Sequence, residues 1–102
     1  MSGYVIQIAP DAEGDIADAF NWYAKRNALI ADAFRSEVFV AIERITERPL
    51  AKPADAEGNC RRPLRRFPYS VVYEVLERTV TILAIAHHRR KPGYWRTAED
   101  RG

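Results

Sequence analysis

The fold is decided by residues 61–96, RRPLRRFPYSVVYEVLERTVTILAIAHHRRKPGYWR, which hold two alternating apolar runs bracketed by arginines. Alternation along residues 69–76 predicts a strand whose larger side chains share one face. Those side chains are Tyr69, Val71, Tyr73 and Val75. A tight reversal at Glu77-Arg78 leads into residues 79–87, TVTILAIAH, which are apolar on both faces. A strand covered on both faces is usually a central one, so the last strand is predicted inside the sheet, beside an N-terminal strand.

Two helices are predicted before this segment, over about residues 10–26 and 29–48. Apolar residues recur at helical spacing in both. They are Ala12, Ile16, Ala19, Phe20 and Tyr23 in the first helix, and Phe34, Val38, Ala41, Ile42 and Ile45 in the second. Asp15 and Asp18 are predicted on the opposite face of the first helix. A turn of only a few residues joins the helices, so they are expected to form an antiparallel hairpin.

The remaining elements complete a single domain over residues 1–102. Residues 3–9 predict a short strand, residues 49–60 a surface loop, and residues 61–67 another strand. The order is therefore β-α-α-β-β-β, an α+β fold in which an antiparallel-rich sheet packs against the helical hairpin. In this division the hairpin spans about residues 10–48, the loop 49–60, and the basic β-meander with its tail 61–97.

The charge of the chain is divided between its two parts. Residues 1–60 carry six Lys/Arg against ten Asp/Glu, whereas residues 61–96 carry nine against two. This division favours a polyanion or an acidic protein as partner of the basic part, while a solvated face neutralised by the acidic helices is the plainer alternative.

Several classes of protein are disfavoured by the same sequence. Cys60 is the only cysteine, so no disulfide framework or cysteine-based metal site is expected. No Gly-rich phosphate loop or Ser-centred elbow is present, and we expect no cofactor and no metal. No signal peptide or run of membrane-spanning length is seen, so the cytoplasm, without membrane attachment, is the predicted location.

One cleft is predicted to gather cationic and aromatic side chains at the end of the sheet. Arg65 and Arg66, near the end of the second strand, should lie close to His87 and Arg89 at the end of the last strand. The expected cleft combines Arg65 or Arg66, a histidine, Arg89 or Arg90, and Tyr94 or Trp95. Such a set could hold a phosphate and exchange protons in RNA cleavage. For His87, a half-buried place beside Tyr73 is an equally good interpretation, and His88 should face the other way.

The other basic residues are candidates for binding rather than catalysis. Arg61 and Arg62 are expected at the far edge of the sheet, against a partner or solvent. The full set predicted to bind nucleic acid or a protein partner is Arg61, Arg62, Arg65, Arg66, Arg89, Arg90, Lys91 and Trp95.

Over nearly its whole length the chain resembles the RelE/ParE superfamily of bacterial type II toxin–antitoxin toxins. The resemblance rests on the opening strand into APDAEGDIADAFNWY, the hairpin ending in ITERP, RRPLRRFPYSVVYEV, and TILAIAHHRRKPGYW. It implies a small toxin of β-α-α-β-β-β fold whose cognate antitoxin wraps the basic sheet face with an extended and helical tail.

The superfamily divides by target, and the resemblance leaves two targets open. RelE-like toxins cut mRNA on the ribosome, and by motif position their working residues would be Arg66, Arg89 and Tyr94. ParE-like toxins poison DNA gyrase without being nucleases. The absence of lysines on the central strands and the two long helices favour the ParE branch, whereas His87-His88 and Tyr94-Trp95 favour the nuclease branch. An inert or degenerate toxin fold that only binds protein is the third possibility.

Overall fold

The protein is described by a computed structural model over residues 3–89. The predicted sites at Arg90, Lys91, Tyr94 and Trp95 lie outside the described residues. The elements follow the order β-α-α-β-β-β, as predicted, and the fold is α+β. They are β1 (Val5–Ile8), α1 (Pro10–Ala24), α2 (Ala28–Glu47), β2 (Asn59–Pro63), β3 (Tyr69–Leu76) and β4 (Thr79–His87).

The four strands form one mixed sheet in the order β1-β4-β3-β2. β1 runs parallel to β4, while the β2–β3 and β3–β4 pairs are antiparallel. The predictions that the last strand is internal and lies beside the N-terminal strand are both confirmed.

Prolines, charged side chains and a capping side chain set the ends of the two helices. Pro10 occupies the first turn of α1 together with Asp11 and Glu13, whose negative charges suit the positive end of the helix dipole. The Asn27 side chain caps α2 by accepting a hydrogen bond of 2.9 Å from the backbone N–H of Leu29. α2 ends at Glu47, because Pro49 disfavours helical geometry at Arg48.

A β-bulge in β4 explains why this strand is apolar on both faces. The pairing jumps from Val72–Ala84 to Tyr73–Ile82, so Leu83 is the extra residue. The bulge restarts the alternation, and Ile82 and Ile85 both enter the main core. That core lies between the sheet and the helices, where Phe34, Val38 and Ile45 of α2 are at most 1% exposed. A smaller cluster forms from Val72, Ala84 and Ala86, with Leu83 packed against it.

The second strand is shorter and starts earlier than predicted. Its start is set by the Asp55 side chain, which accepts hydrogen bonds of 2.9 Å from the N–H groups of Glu57 and Asn59. Its end at Pro63 is set by the reversal into β3, where the Leu64 N–H donates to the Tyr69 carbonyl at 2.8 Å. The predicted strand over 61–67 is therefore wrong in its second half, because residues 64–68 are needed for the turn.

Candidate functional site

Arg65 and Arg66 lie in the turn between β2 and β3, and the carboxylate of Glu37 on α2 fixes that turn. One Glu37 oxygen accepts from the backbone N–H of Arg65 and, at 3.1 Å, from that of Arg66. The other oxygen accepts from the Arg66 guanidinium at 3.2 Å. Burial raises the pKa of this carboxyl group, but the bonds from Arg66 and Arg65 outweigh it and the net pKa is lowered.

The turn and α2 together border an open cleft of about 410 Å³, which we call the loop cleft. Its lining residues are Ser36, Glu37, Val40, Arg65 and Arg66. Arg66 is 68% exposed although one of its nitrogens is bound, so most of its guanidinium faces solvent. The loop cleft is therefore a cationic surface held in place by a half-buried acid.

A larger cleft of about 750 Å³, the strand-end cleft, lies between α1 and the end of β4. It is lined by Asp15, Asp18, Ala19, Trp22, Tyr23, Pro68, Tyr69, Ile85, His87, His88 and Arg89. One wall is acidic, the other is basic, and aromatic rings lie between them. Carboxylates, imidazoles and a guanidinium in one cleft are groups that can bind charged ligands or move protons.

Asp15 was predicted on the solvent-facing side of α1, but in the structure it contacts β4. Its carboxylate accepts a hydrogen bond of 2.9 Å from the backbone N–H of Ile85. β1 ends at Ile8, opposite Ile82, so among residues 3–89 no strand lies beside the outer edge of β4 beyond Ile82. α1 supplies a side-chain acceptor there instead, and Asp15 and Asp18 both face the strand-end cleft.

The two histidines contact β3 residues that lie on opposite faces of the sheet. His87 packs edge-on against Tyr69 with ring centroids 4.9 Å apart, and its Nδ1 accepts from the Arg89 N–H at 3.0 Å. The His88 ring forms a hydrogen bond of 2.9 Å with the hydroxyl of Ser70. Adjacent strand residues face opposite ways, so the prediction that the histidines diverge is confirmed, although both line the strand-end cleft.

The prediction that His87 lies beside Tyr73 is wrong. Tyr73 pairs with Ile82 and is buried in the core at 2% exposure, whereas Tyr69 is the residue opposite His87. The bulge at Leu83 lies between these two pairs. Tyr69 continues an aromatic series through Phe34 (5.4 Å), which contacts Phe67 (5.3 Å), so the core supports the ring against which His87 packs.

The predicted site residues are only partly brought together. His87 and Arg89 share the strand-end cleft, whereas Arg65 and Arg66 line the loop cleft. Arg61 and Arg62 lie on the outermost strand, as expected, but within it rather than at its start, opposite Val72 and Val71. Sequence reasoning missed Asp18, Trp22 and Glu37. The first two could have been found, because 15, 18 and 22 fall on one helical face.

Neither a metal site nor a membrane helix is found among the described residues. Over residues 3–89, no group of three or more His, Cys, Asp or Glu side chains could hold a metal ion. In the same range, no helix combines the length and the apolar character needed to cross a bilayer.

The class of protein follows from comparison with known families. Residues 6–92 match the family described as the ParE toxin of the type II toxin–antitoxin system, parDE. The chain is thus a member of the RelE/ParE superfamily of toxins, and within it belongs to the ParE toxin family.

A solved structure shares the fold. The chromosomal ParDE TA system from P. aeruginosa superposes with a TM-score of 0.75 at 14% sequence identity. The match covers 85% of this chain and 98% of that chain. Comparison with curated protein sequences finds no match.

Proposed function

We propose that this chain is a cytoplasmic toxin that arrests growth by binding and inhibiting DNA gyrase, and that a cognate antitoxin neutralises it. The observation that carries the proposal is the match to the ParE toxin family over residues 6–92. Gyrase poisoning is the activity that the resemblance to the ParE branch implies. It needs a binding surface rather than an assembled catalytic centre.

The placement of the arginines supports binding over cleavage. A nuclease of the RelE type would use Arg66 and Arg89 on one scissile phosphate. Here Arg66 is bonded to Glu37 in the loop cleft, whereas Arg89 lies at the strand-end cleft. Cations that stabilise the transition state of phosphodiester cleavage act together on one site, and Arg66 already donates its Nε–H to Glu37.

The proposal is tested with purified gyrase and relaxed plasmid. Adding the toxin should reduce supercoiling in proportion to its concentration and trap cleaved DNA, and adding the antitoxin first should prevent both effects. Growth arrest on expression should be accompanied by an SOS response. Normal supercoiling at excess toxin would overturn the gyrase proposal, and absence of growth arrest would favour the inert interpretation.

Ribosome-dependent mRNA cleavage is the second candidate function. It is favoured by the strand-end cleft, where His87 and Arg89 lie with Asp18 and two tyrosines, a set that contains both proton acceptors and a cation. Mapping of mRNA 5′ ends after induction separates the two functions. New cuts within codons would support cleavage, whereas an unchanged map together with trapped gyrase would support the first proposal.

A further inference from the structure

Trp22 in the strand-end cleft is an exposed indole held in a fixed orientation. The Arg26 guanidinium lies 3.5 Å from the centroid of the indole ring, and its Nη1 donates to the Trp22 carbonyl at 2.8 Å. Tyr23 contacts the indole edge-on, with ring centroids 5.0 Å apart. Trp22 is nevertheless 51% exposed. Because Arg26 covers only one face of the ring, the other face can stack on a planar ligand.

Asp18 supplies a hydrogen-bond acceptor beside that indole. It lies one helical turn before Trp22 on α1, so the two side chains are neighbours on one flank of the helix. Helical side chains lean towards the helix N-terminus, which brings the indole over the turn that carries Asp18. Asp18 is exposed, and within residues 3–89 its carboxylate makes no hydrogen bond or ion pair. This carboxylate is therefore available to a ligand.

Arg89 places a cation at the other wall of the strand-end cleft. Its backbone N–H donates to His87 Nδ1 at 3.0 Å, and the His87 ring packs against Tyr69, so the turn after β4 is fixed. Arg89 is exposed, and its guanidinium makes no hydrogen bond or ion pair with the described part of the chain. An arginine fork matches the geometry of a phosphate, to which it donates two parallel N–H bonds.

The three groups restrict the chemistry of the ligand that fits them together. A plain polyanion would be repelled by Asp18, and a plain cation would be repelled by Arg89. A nucleotide suits both walls, because its phosphate is an anion and its base is a planar ring with hydrogen-bonding edges. The cleft volume of about 750 Å³ lies within the range of small-molecule sites.

Among the bases, guanine matches the Asp18 carboxylate best. Its N1–H and its N2 amino group are adjacent donors on the Watson–Crick edge, and an ionised carboxylate accepts with both oxygens. Adenine presents one amino donor on that edge beside the N1 acceptor, which would face a carboxylate lone pair. The acid therefore favours guanine over adenine.

From this arrangement we propose that the strand-end cleft is a binding site for a guanine nucleotide. The base stacks on Trp22 and donates to Asp18, and the 5′-phosphate binds Arg89. A free nucleotide and an unpaired guanosine within a nucleic-acid strand share this chemistry. The site requires neither gyrase nor an antitoxin, so it goes beyond the proposed function.

Isothermal titration calorimetry of the full-length protein with guanosine 5′-monophosphate (GMP), AMP and guanosine tests the site. GMP should bind about tenfold more tightly than AMP. Trp22→Ala should weaken GMP binding by about tenfold or more, because stacking on the indole is lost. Asp18→Asn should weaken GMP binding by about tenfold and remove the preference over AMP. Arg89→Ala should abolish the difference in affinity between GMP and guanosine, since the phosphate loses its cation.

Matched controls change residues of the same kind outside the cleft. Phe39→Ala truncates a ring on α2 that is 47% exposed, Asp32→Asn removes an exposed acid of α2, and Arg48→Ala removes an exposed arginine after α2. Each should leave the affinity for GMP within about twofold of the wild type, the usual effect of a surface change. Thermal melting verifies that every variant is folded before binding is measured.

A short oligouridine that carries one guanosine separates the two sources of the ligand. Affinity no higher than that of GMP assigns the site to a free nucleotide. Affinity at least about tenfold higher that is lost in Trp22→Ala assigns it to a strand, and either result supports the guanine site. Absence of binding by both probes, equal affinity for GMP and AMP, or wild-type affinity in Trp22→Ala overturns it. Supercoiling by gyrase is measured separately, so these failures leave the proposed function standing.

Discussion

Replacing Glu37 by Gln should loosen the turn between β2 and β3 and destabilise the protein at neutral pH. The carboxylate accepts two backbone N–H bonds and one guanidinium bond, and its side chain is only 12% exposed. A hydrogen bond to a charged group contributes about 1.5–3 kcal/mol, although a pair with an exposed partner contributes about 0–1 kcal/mol. Arg66 is 68% exposed, so its contribution belongs to the lower range. Because glutamine keeps one acceptor oxygen, we expect the free energy of unfolding to fall by about 1–2 kcal/mol.

The loss should depend on pH in a defined direction. The folded-state pKa of Glu37 is lowered, so its stabilisation is fully present above the unfolded pKa of about 4.3. It disappears as the pH falls through the folded-state pKa, because the protonated acid resembles glutamine. Urea denaturation, followed by tryptophan fluorescence, measures the loss in the free energy of unfolding at pH 7 and near pH 3. At neutral pH the melting temperature should fall by about 4–8 °C for each kcal/mol lost.

Glu43→Gln on the same helix is the matched control. It removes the same charge from an exposed position of α2. A difference between the two variants at pH 7 therefore reports the bonds of Glu37 and not the net charge. Equal stability of the two variants at pH 7, or a Glu37→Gln loss that is unchanged in acid, would refute the reasoning.

Three further predictions concern α1 and the buried thiol. Gly14→Ala should raise the free energy of unfolding by about 0.5–1 kcal/mol in chemical denaturation, since Gly14 lies inside α1 and its added methyl meets no atom within 4 Å; a loss of stability would contradict this. Asp15→Ala should lose about 1–3 kcal/mol and speed hydrogen exchange at the Ile85 amide, because that N–H loses its carboxylate acceptor; unchanged exchange would contradict this. Burial, with a smaller contribution from the charge of Asp55, raises the pKa of Cys60. Alkylation of this thiol should therefore be slow in the folded protein and fast in urea. Rapid labelling of the native chain would contradict this.

Periodic elements could be predicted from the sequence, because their signal is local. The apolar spacing of α2 and the alternation in β3 each repeat over several turns or residue pairs, and both were located to within a residue or two. The position of β4 followed from its apolar character on both faces. The bulge at Leu83 was not predicted, since it depends on how the neighbouring strand pairs.

The parts that could not be predicted depend on contacts between distant residues. Glu37 bonds to a turn 28 residues later in the chain, and Asp15 bonds to a backbone group 70 residues later. An amphipathic pattern assigns a polar residue to solvent by default. It cannot show that β1 ends early, so that a backbone N–H of β4 donates a hydrogen bond to the Asp15 carboxylate. The same limit applies to the clefts: the prediction placed these arginines in one cleft, whereas Arg65 and Arg66 line the loop cleft and Arg89 lines the strand-end cleft.

The parallel pairing of β1 with β4 has a consequence for synthesis on the ribosome. Gln7 and Thr81, which contact each other across this pair, are 74 residues apart. At about 5–20 residues per second, the first strand waits roughly 4–15 s for its partner to be made. β4 also pairs with β3, so the sheet is joined only when this late strand emerges. A chain truncated before residue 79 therefore lacks β4, the strand that joins β1 to β3, and a premature stop before that point should abolish the activity of the protein.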